Sequence, residues 1–106
     1  MAQLYFSPRA RQDLLSIHAW IRSDSQRNAS RFVDKLIRKC EKLASNPEIG
    51  LKIDEFPELS VKWTRVGSFL AFFHRTQEKV EIVRVIHGAR DWLSLITGDQ
   101  ELEDSD

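Results

Sequence analysis

The sequence is poor in the residues that build disulfides and flexible linkers. It holds one cysteine, Cys40, with four glycines and three prolines in 106 residues. A single cysteine excludes an internal disulfide and suits a reducing compartment. With so few glycines and prolines, no stretch has the composition of an interdomain linker. These absences indicate one compact domain.

Long hydrophobic runs are also missing. The longest covers residues 69–73, whereas a helix needs roughly 20 apolar residues to cross a bilayer. The first eight residues lack the basic and apolar stretches of a secretory signal. We therefore expect a cytoplasmic protein with no membrane partner.

The chain has no net charge, but its charges are unevenly distributed. Lys and Arg total 16, as do Asp and Glu. Five acids lie in residues 99–106, so residues 1–98 carry 16 bases against 11 acids, a net charge of +5. This predicts a single domain over residues 1–98 and an acidic, disordered tail over residues 99–106. A basic body favours an acidic partner, although solvated helix faces explain the same charges.

What is present is the pattern of two helices after a short strand. Residues 4–6 are suited to a strand, and Ser7-Pro8 marks the start of a helix. Apolar residues then recur at helical spacing to Ile21, and again over residues 26–44. A helical hairpin is the predicted result, followed by a turn at residues 46–50 and an irregular segment at residues 51–60.

Three β-rich runs follow, over residues 61–66, 69–73 and 80–86. Gly67-Ser68 suits a tight hairpin turn between the first two, and the third is apolar enough to be the central strand. Asp91 suits the N-cap of a short helix that ends before Gly98. The predicted fold class is α+β: a helical hairpin on a small, mostly antiparallel sheet, with a short C-terminal helix.

No residue pattern points to a cofactor, a metal or a nucleophile. The three histidines lack metal-ligand spacing, and no glycine-rich phosphate loop is present. Cys40 lies in the apolar stripe of the second helix, so we interpret it as a core residue. We therefore expect no cofactor and no metal site.

Cationic side chains converge on the predicted sheet. They lie on three neighbouring strands and the following loop: Arg65, His74, Arg75, Arg84, His87 and Arg90. Histidine and arginine can supply the acid, the base and the phosphate-binding cations of a metal-free ribonuclease. A structural interpretation is that Arg65 and Arg84 pair with carboxylates such as Glu81 or Asp91, while His87 caps a buried turn.

The tryptophans also allow two interpretations. Trp20, Trp63 and Trp92 are possible binding anchors, but tryptophans beside an apolar stripe more often lie in the core or at its edge. We expect core-edge positions for them. Trp92 stays a candidate binding residue because it directly follows the cationic loop.

Several segments together resemble the ParE branch of the ParE/RelE toxin superfamily. They are Ser7-Pro8-Arg9-Ala10 with Asp13-Leu14 and Ile17, Ala44 with Asn46-Pro47-Glu48-Ile49-Gly50, and Arg84-Val85-Ile86-His87-Gly88-Ala89-Arg90-Asp91. The likeness covers residues 4 to about 96. It implies the toxin of a type II toxin-antitoxin pair that poisons DNA gyrase without acting as an enzyme, arrests growth and stabilises plasmids. It also implies a small antitoxin partner, encoded immediately upstream, in a hetero-oligomer, and no stable direct complex with nucleic acid.

On this resemblance the cationic residues and Trp92 are binding residues, and none is catalytic. The alternative is the RelE branch, which resembles ParE in fold but cleaves messenger RNA on the ribosome; Arg65, Arg84 and His87 would then be catalytic. The only tyrosine, Tyr5, lies in the first strand, whereas RelE-like toxins often place a tyrosine or histidine near the end of the sheet. A non-toxic interaction module of the same fold is a third hypothesis.

Overall fold

The described part of the chain is one α+β arrangement of helices and strands. The computed structural model describes residues 2–46, 49–53 and 60–97, with the side chain of Thr97 left out. Its elements are β1 (Gln3–Phe6), α1 (Pro8–Arg22), α2 (Gln26–Ser45), β2 (Leu51–Lys52), β3 (Lys62–Val66), β4 (Phe69–Arg75), β5 (Lys79–His87) and α3 (Trp92–Thr97). The predicted fold class is confirmed.

The sheet order is β1-β5-β4-β3-β2. Only β1 and β5 pair in parallel, so the sheet is mostly antiparallel, as predicted. The prediction that β5 is the central strand is wrong: β3 and β2 both add on the far side of β4, so β4 is central and β5 lies between it and the edge strand β1. At residues 51–52 the strand β2 corrects the expectation of an irregular segment over residues 51–60, because Leu51 pairs with Trp63. Pairing with β3 creates this strand, and its two residues alone are too short to show a β-pattern. Residues 54–59 of the predicted irregular segment lie outside the described residues. Within the predicted turn at 46–50, Pro47 and Glu48 lie outside the described residues, as do Gly98 and the tail.

Two apolar clusters lie on opposite faces of the sheet, because side chains alternate along a strand. On β4, Phe69, Ala71 and Phe73 join the cluster formed with α1 and α2. Leu70 and Phe72 join the second cluster, formed with α3. Both faces of β4 are therefore buried, and α3 covers the face opposite the helical hairpin.

Ser7 connects β1 to α1 through three hydrogen bonds. Its side chain accepts a hydrogen bond from the Ala10 amide at 3.0 Å, which caps the helix. Its hydroxyl also donates to the Val83 carbonyl at 2.9 Å, and its amide donates to the Ile82 carbonyl at 2.9 Å. The predicted helix start is thus confirmed, and the same residue fixes where α1 leaves the sheet.

A β-bulge lies in the middle of β5. Phe72 pairs with Arg84 and the next residue, Phe73, pairs with Ile82, so Val83 is the extra residue. A bulge reverses the alternation of side chains beyond it. Ile82 accordingly lies in the helix-side cluster and Ile86 in the α3-side cluster, although an even spacing predicts one face for both.

None of the helices within the described ranges combines the length and apolar character of a membrane span.

Candidate functional site

An ion pair joins α1 to the end of β5. The guanidinium of Arg84 donates from Nε to Asp13 Oδ2 at 2.8 Å and from Nη2 to Asp13 Oδ1 at 3.1 Å. The two side chains are only 13% and 15% exposed. The prediction that Arg84 pairs with a carboxylate is confirmed, but its partner is Asp13 rather than Glu81 or Asp91. Asp91 instead caps α3 through Ser94. Arg84 therefore links α1 to β5. One planar edge of its guanidinium is already hydrogen-bonded to the Asp13 carboxylate.

Asp13 also covers an open edge of the sheet. The pairing of β1 with β5 ends at Ile82, so the later amides of β5 have no neighbouring strand on that side. The Val85 amide donates to Asp13 Oδ2 at 2.9 Å. One carboxylate thus satisfies a backbone donor and a guanidinium, which otherwise would be unpaired at the helix-sheet junction. Sequence reasoning missed this role because its partners are more than 70 residues away along the chain.

His87, the last residue of β5, is fixed by its turn. The Ala89 amide donates to His87 Nδ1 at 3.0 Å, and the imidazole meets the Phe69 ring edge-on at 5.0 Å between centroids. A ring nitrogen that accepts a hydrogen bond carries no proton, so Nε2 carries the proton in the neutral ring. His87 caps its turn as predicted, but the turn is exposed rather than buried, because it leaves the sheet at the end of β5. Nε2 is the atom left for a partner.

One groove separates α1 from the ends of β4 and β5. Its volume is about 430 Å³, and it is lined by Asp13, Ser16, Ile17, Trp20, Phe69, Val85, His87 and Arg90. We call it the helix-sheet groove. Its floor is apolar, and Trp20 on its wall is 66% exposed. This exposure corrects the expectation that Trp20 lies at the core edge, because the indole lies on the wall of an open groove where solvent reaches most of it.

A second groove lies across the turn after β5. Its volume is about 330 Å³, and it is lined by Trp63, Arg65, Ser68, Leu70, His87, Gly88, Ala89 and Trp92. We call it the tryptophan groove. Trp92 stacks on Phe72 at 5.6 Å between ring centroids, which anchors α3 and leaves part of the indole in the groove. Trp63 and Trp92 are half-buried, as expected for core-edge residues.

The predicted cationic cluster is thus divided. Arg65 and His87 meet in the tryptophan groove, and His87 and Arg90 meet in the helix-sheet groove. His87 lines both, and the turn that follows it is their common wall.

The remaining predicted site residues lie away from His87. Arg75, at the opposite end of β4, donates to the Leu43 carbonyl in the last turn of α2, where a cation stabilises the helix end. His74 shares a hydrogen bond with Ser60 at 3.1 Å and lines a third cavity with Arg9 and Arg84. These positions give Arg75 a structural contact and separate His74 from the two grooves.

Cys40 is fully buried in the helix-side cluster. Burial, with a smaller contribution from the charge of Glu41, raises the pKa of its thiol to about 12. The thiol is therefore protonated and unreactive at neutral pH, which agrees with its interpretation as a core residue. Over the described ranges, no three His, Cys, Asp or Glu side chains are grouped so that they could hold a metal ion.

Two solved structures have a similar fold. A chain of the chromosomal ParDE toxin-antitoxin system from P. aeruginosa superposes with a TM-score of 0.67 at 19% identity, covering 82% of this chain and 96% of its own length. A chain of the toxin-antitoxin complex RelBE2 from Mycobacterium tuberculosis gives a TM-score of 0.63 at 18% identity, covering 81% and 96%. At such low identities these matches establish the fold alone. No curated protein is significantly similar in sequence.

The sequence itself matches a family model over residues 4–92, the model of the ParE toxin of the type II toxin-antitoxin system parDE. The match spans most of the chain, including α1, the bulged β5 and the turn after His87. It agrees with the resemblance carried by the segment Arg84 to Asp91. The chain belongs to the ParE toxin family, within the ParE/RelE superfamily of type II toxin-antitoxin toxins.

Proposed function

We propose that this chain is a cytoplasmic toxin that inhibits DNA gyrase and is neutralised by a cognate antitoxin. The observation that carries the proposal is the ParE family match over residues 4–92. The toxin acts by binding: it stalls the topoisomerase after DNA cleavage, so that broken DNA accumulates and growth stops.

The geometry of the cationic residues favours binding over turnover. A metal-free ribonuclease needs an acid, a base and cations that are free to hold a phosphate. Arg84 is occupied by Asp13, and Nδ1 of His87 accepts from the turn. Of the three residues proposed for an endonuclease, only Arg65 is exposed, and it forms no ion pair within the described residues.

The tryptophan groove is the proposed contact with gyrase. Tryptophan and arginine are the residues that most often dominate binding energy at protein interfaces. Trp63 and Trp92 supply apolar area there, and Arg65 supplies an exposed charge beside them. Nε2 of His87 completes this surface.

The helix-sheet groove is the proposed antitoxin site. Its apolar floor, with an exposed tryptophan on the wall, is suited to the apolar face of a peptide helix or strand. The two similar solved structures come from toxin-antitoxin systems. Because His87 lines both grooves, an antitoxin seated in one contacts a residue that the target needs in the other.

Inducible expression in bacteria tests the proposed function. We expect growth arrest together with double-strand DNA breaks, and, with purified protein, loss of gyrase supercoiling and accumulation of cleaved DNA. Co-expression of the small protein encoded beside the chain should restore growth.

A RelE-like, ribosome-dependent mRNA endonuclease is the second candidate, favoured by the meeting of Arg65 and His87 in one groove. Intact DNA with cleaved messenger RNA in a translating extract would select it. Normal growth of cells that are shown to contain the soluble protein would instead favour the third hypothesis, a non-toxic interaction module.

Two substitutions at His87 separate its contact role from its structural role. Asparagine retains an acceptor near the position of Nδ1 but has no group at Nε2. We expect His87→Asn to keep the melting temperature and to inhibit supercoiling about tenfold less, the effect of losing roughly 1.4 kcal/mol of contact energy.

His87→Gln is the matched control. It places an amide near Nε2 but leaves the Ala89 amide unpaired, so it should lower stability by about 1 kcal/mol and retain more inhibition. Full inhibition by His87→Asn would show that Nε2 makes no contact with the target.

A further inference from the structure

The exposed face of α2 is a continuous cationic stripe. It consists of Arg27, Arg31, Lys35, Arg38 and Lys42, all exposed. At about 100° per residue these side chains fall within about 80° of one another around the helix axis, and at 1.5 Å per residue they extend over about 22 Å. The opposite side of α2 is buried through residues such as Leu36, Cys40 and Leu43. The stripe is therefore held facing outward.

These cations are not neutralised by ion pairs. Within the part of the chain that the structure describes, the only ion pair with a nitrogen-oxygen distance of 4.0 Å or less joins Arg84 and Asp13. Two acids, Asp34 and Glu41, flank the stripe on α2 and reduce its charge without pairing at that distance. A net positive field remains along the helix.

The other residues of this face decide what kind of partner fits. Every exposed position of α2 is polar or charged, with Asn28, Ser30 and Ser45 beside the stripe. Protein interfaces depend on apolar and aromatic anchors, and single-stranded nucleic acids need aromatic rings for stacking. This face has neither. Arginine, lysine, serine and asparagine are instead the side chains that contact the phosphates of duplex DNA.

We propose that the stripe on α2 binds the phosphate backbone of duplex DNA, independently of base sequence. The major groove of B-DNA admits a helix, whereas that of duplex RNA is too narrow. The complex is weak and depends on salt, in keeping with the expectation that no stable nucleic-acid complex forms. This site lies outside both grooves, so the inference does not depend on the gyrase proposal. On a target that holds DNA, the stripe would raise the local concentration of the toxin.

Fluorescence anisotropy of the full chain with a labelled 24-base-pair DNA duplex tests the proposal. With about five phosphates contacted, the logarithm of the affinity should fall with the logarithm of the salt concentration at a slope of about −4.5. That corresponds to a loss of roughly 500-fold in affinity between 50 and 200 mM salt. The triple variant Arg31→Gln/Lys35→Gln/Arg38→Gln should reduce the loss to about tenfold, with a slope of about −1.8.

The matched control removes the same charge from α1: Arg9→Gln/Arg11→Gln/Arg22→Gln, three exposed residues. It should keep the wild-type slope, and both triple variants should keep the wild-type melting temperature. Equal losses in the two triple variants, or no binding at 50 mM salt, would overturn the proposal. Tighter binding of a poly-glutamate peptide than of the DNA duplex would also overturn it, and would indicate an acidic protein as the partner of the stripe. Tighter binding of an RNA duplex than of the DNA duplex would overturn it as well.

Discussion

Replacing Asp13 with alanine is expected to destabilise the protein by about 3 kcal/mol. The substitution leaves the mostly buried guanidinium of Arg84 without its counter-ion and the Val85 amide without an acceptor. For a domain of this size the loss corresponds to a melting temperature lower by roughly 12–24 °C. Thermal and urea unfolding, followed by circular dichroism, measure both quantities.

Two variants show whether the loss comes from the ion pair. Asp24→Ala, an exposed aspartate between the helices, should change stability by less than about 0.5 kcal/mol. The double variant Asp13→Ala/Arg84→Met should recover roughly 1–2 kcal/mol relative to Asp13→Ala, because the unpaired charge is gone while the Val85 amide stays unpaired. If Asp13→Ala were as stable as Asp24→Ala, the carboxylate would have no structural role.

Replacing Trp20 with alanine is expected to weaken antitoxin binding by about 30-fold or more, a loss of at least about 2 kcal/mol. The indole is 66% exposed on the wall of the helix-sheet groove, so truncating it removes apolar contact area without opening a cavity in the core. Titration calorimetry with the proposed cognate antitoxin measures the affinity. Growth arrest in the absence of antitoxin should persist.

Leu15→Ala is the matched control for Trp20. Leu15 lies on the same helix and is 71% exposed, but it does not line the groove. Its truncation should change antitoxin affinity less than about threefold. Equal affinities of the two variants would place the antitoxin elsewhere on the surface.

The elements that sequence predicts well are those with local signals. Ser7-Pro8 marks the start of α1 because capping depends on neighbouring residues alone, and Gly67 adopts the positive φ of 60° that a tight hairpin turn requires. The stripe of buried residues on α2 follows from helical periodicity. The strand β2 has no such signal, because its two residues become a strand only by pairing with β3.

The candidate site depended on a feature without a local signal. In strict alternation Ile82, Arg84 and Ile86 share one face of the sheet. The extra residue Val83 breaks that alternation, and the guanidinium of Arg84 is paired with Asp13 on α1. Arg84, which was predicted to be a binding residue, therefore has a structural role, and His87 lies between the two grooves.

By itself the sequence determined the α+β class, the helical hairpin and the ParE family. These follow from periodicity, capping and a motif, all of which depend on residues close together in the chain. Only the tertiary structure decided which cations stay available to a partner. The availability of each cation depends on contacts such as that between Asp13 and Arg84. These two residues are far apart along the chain, so no local sequence pattern predicts their contact.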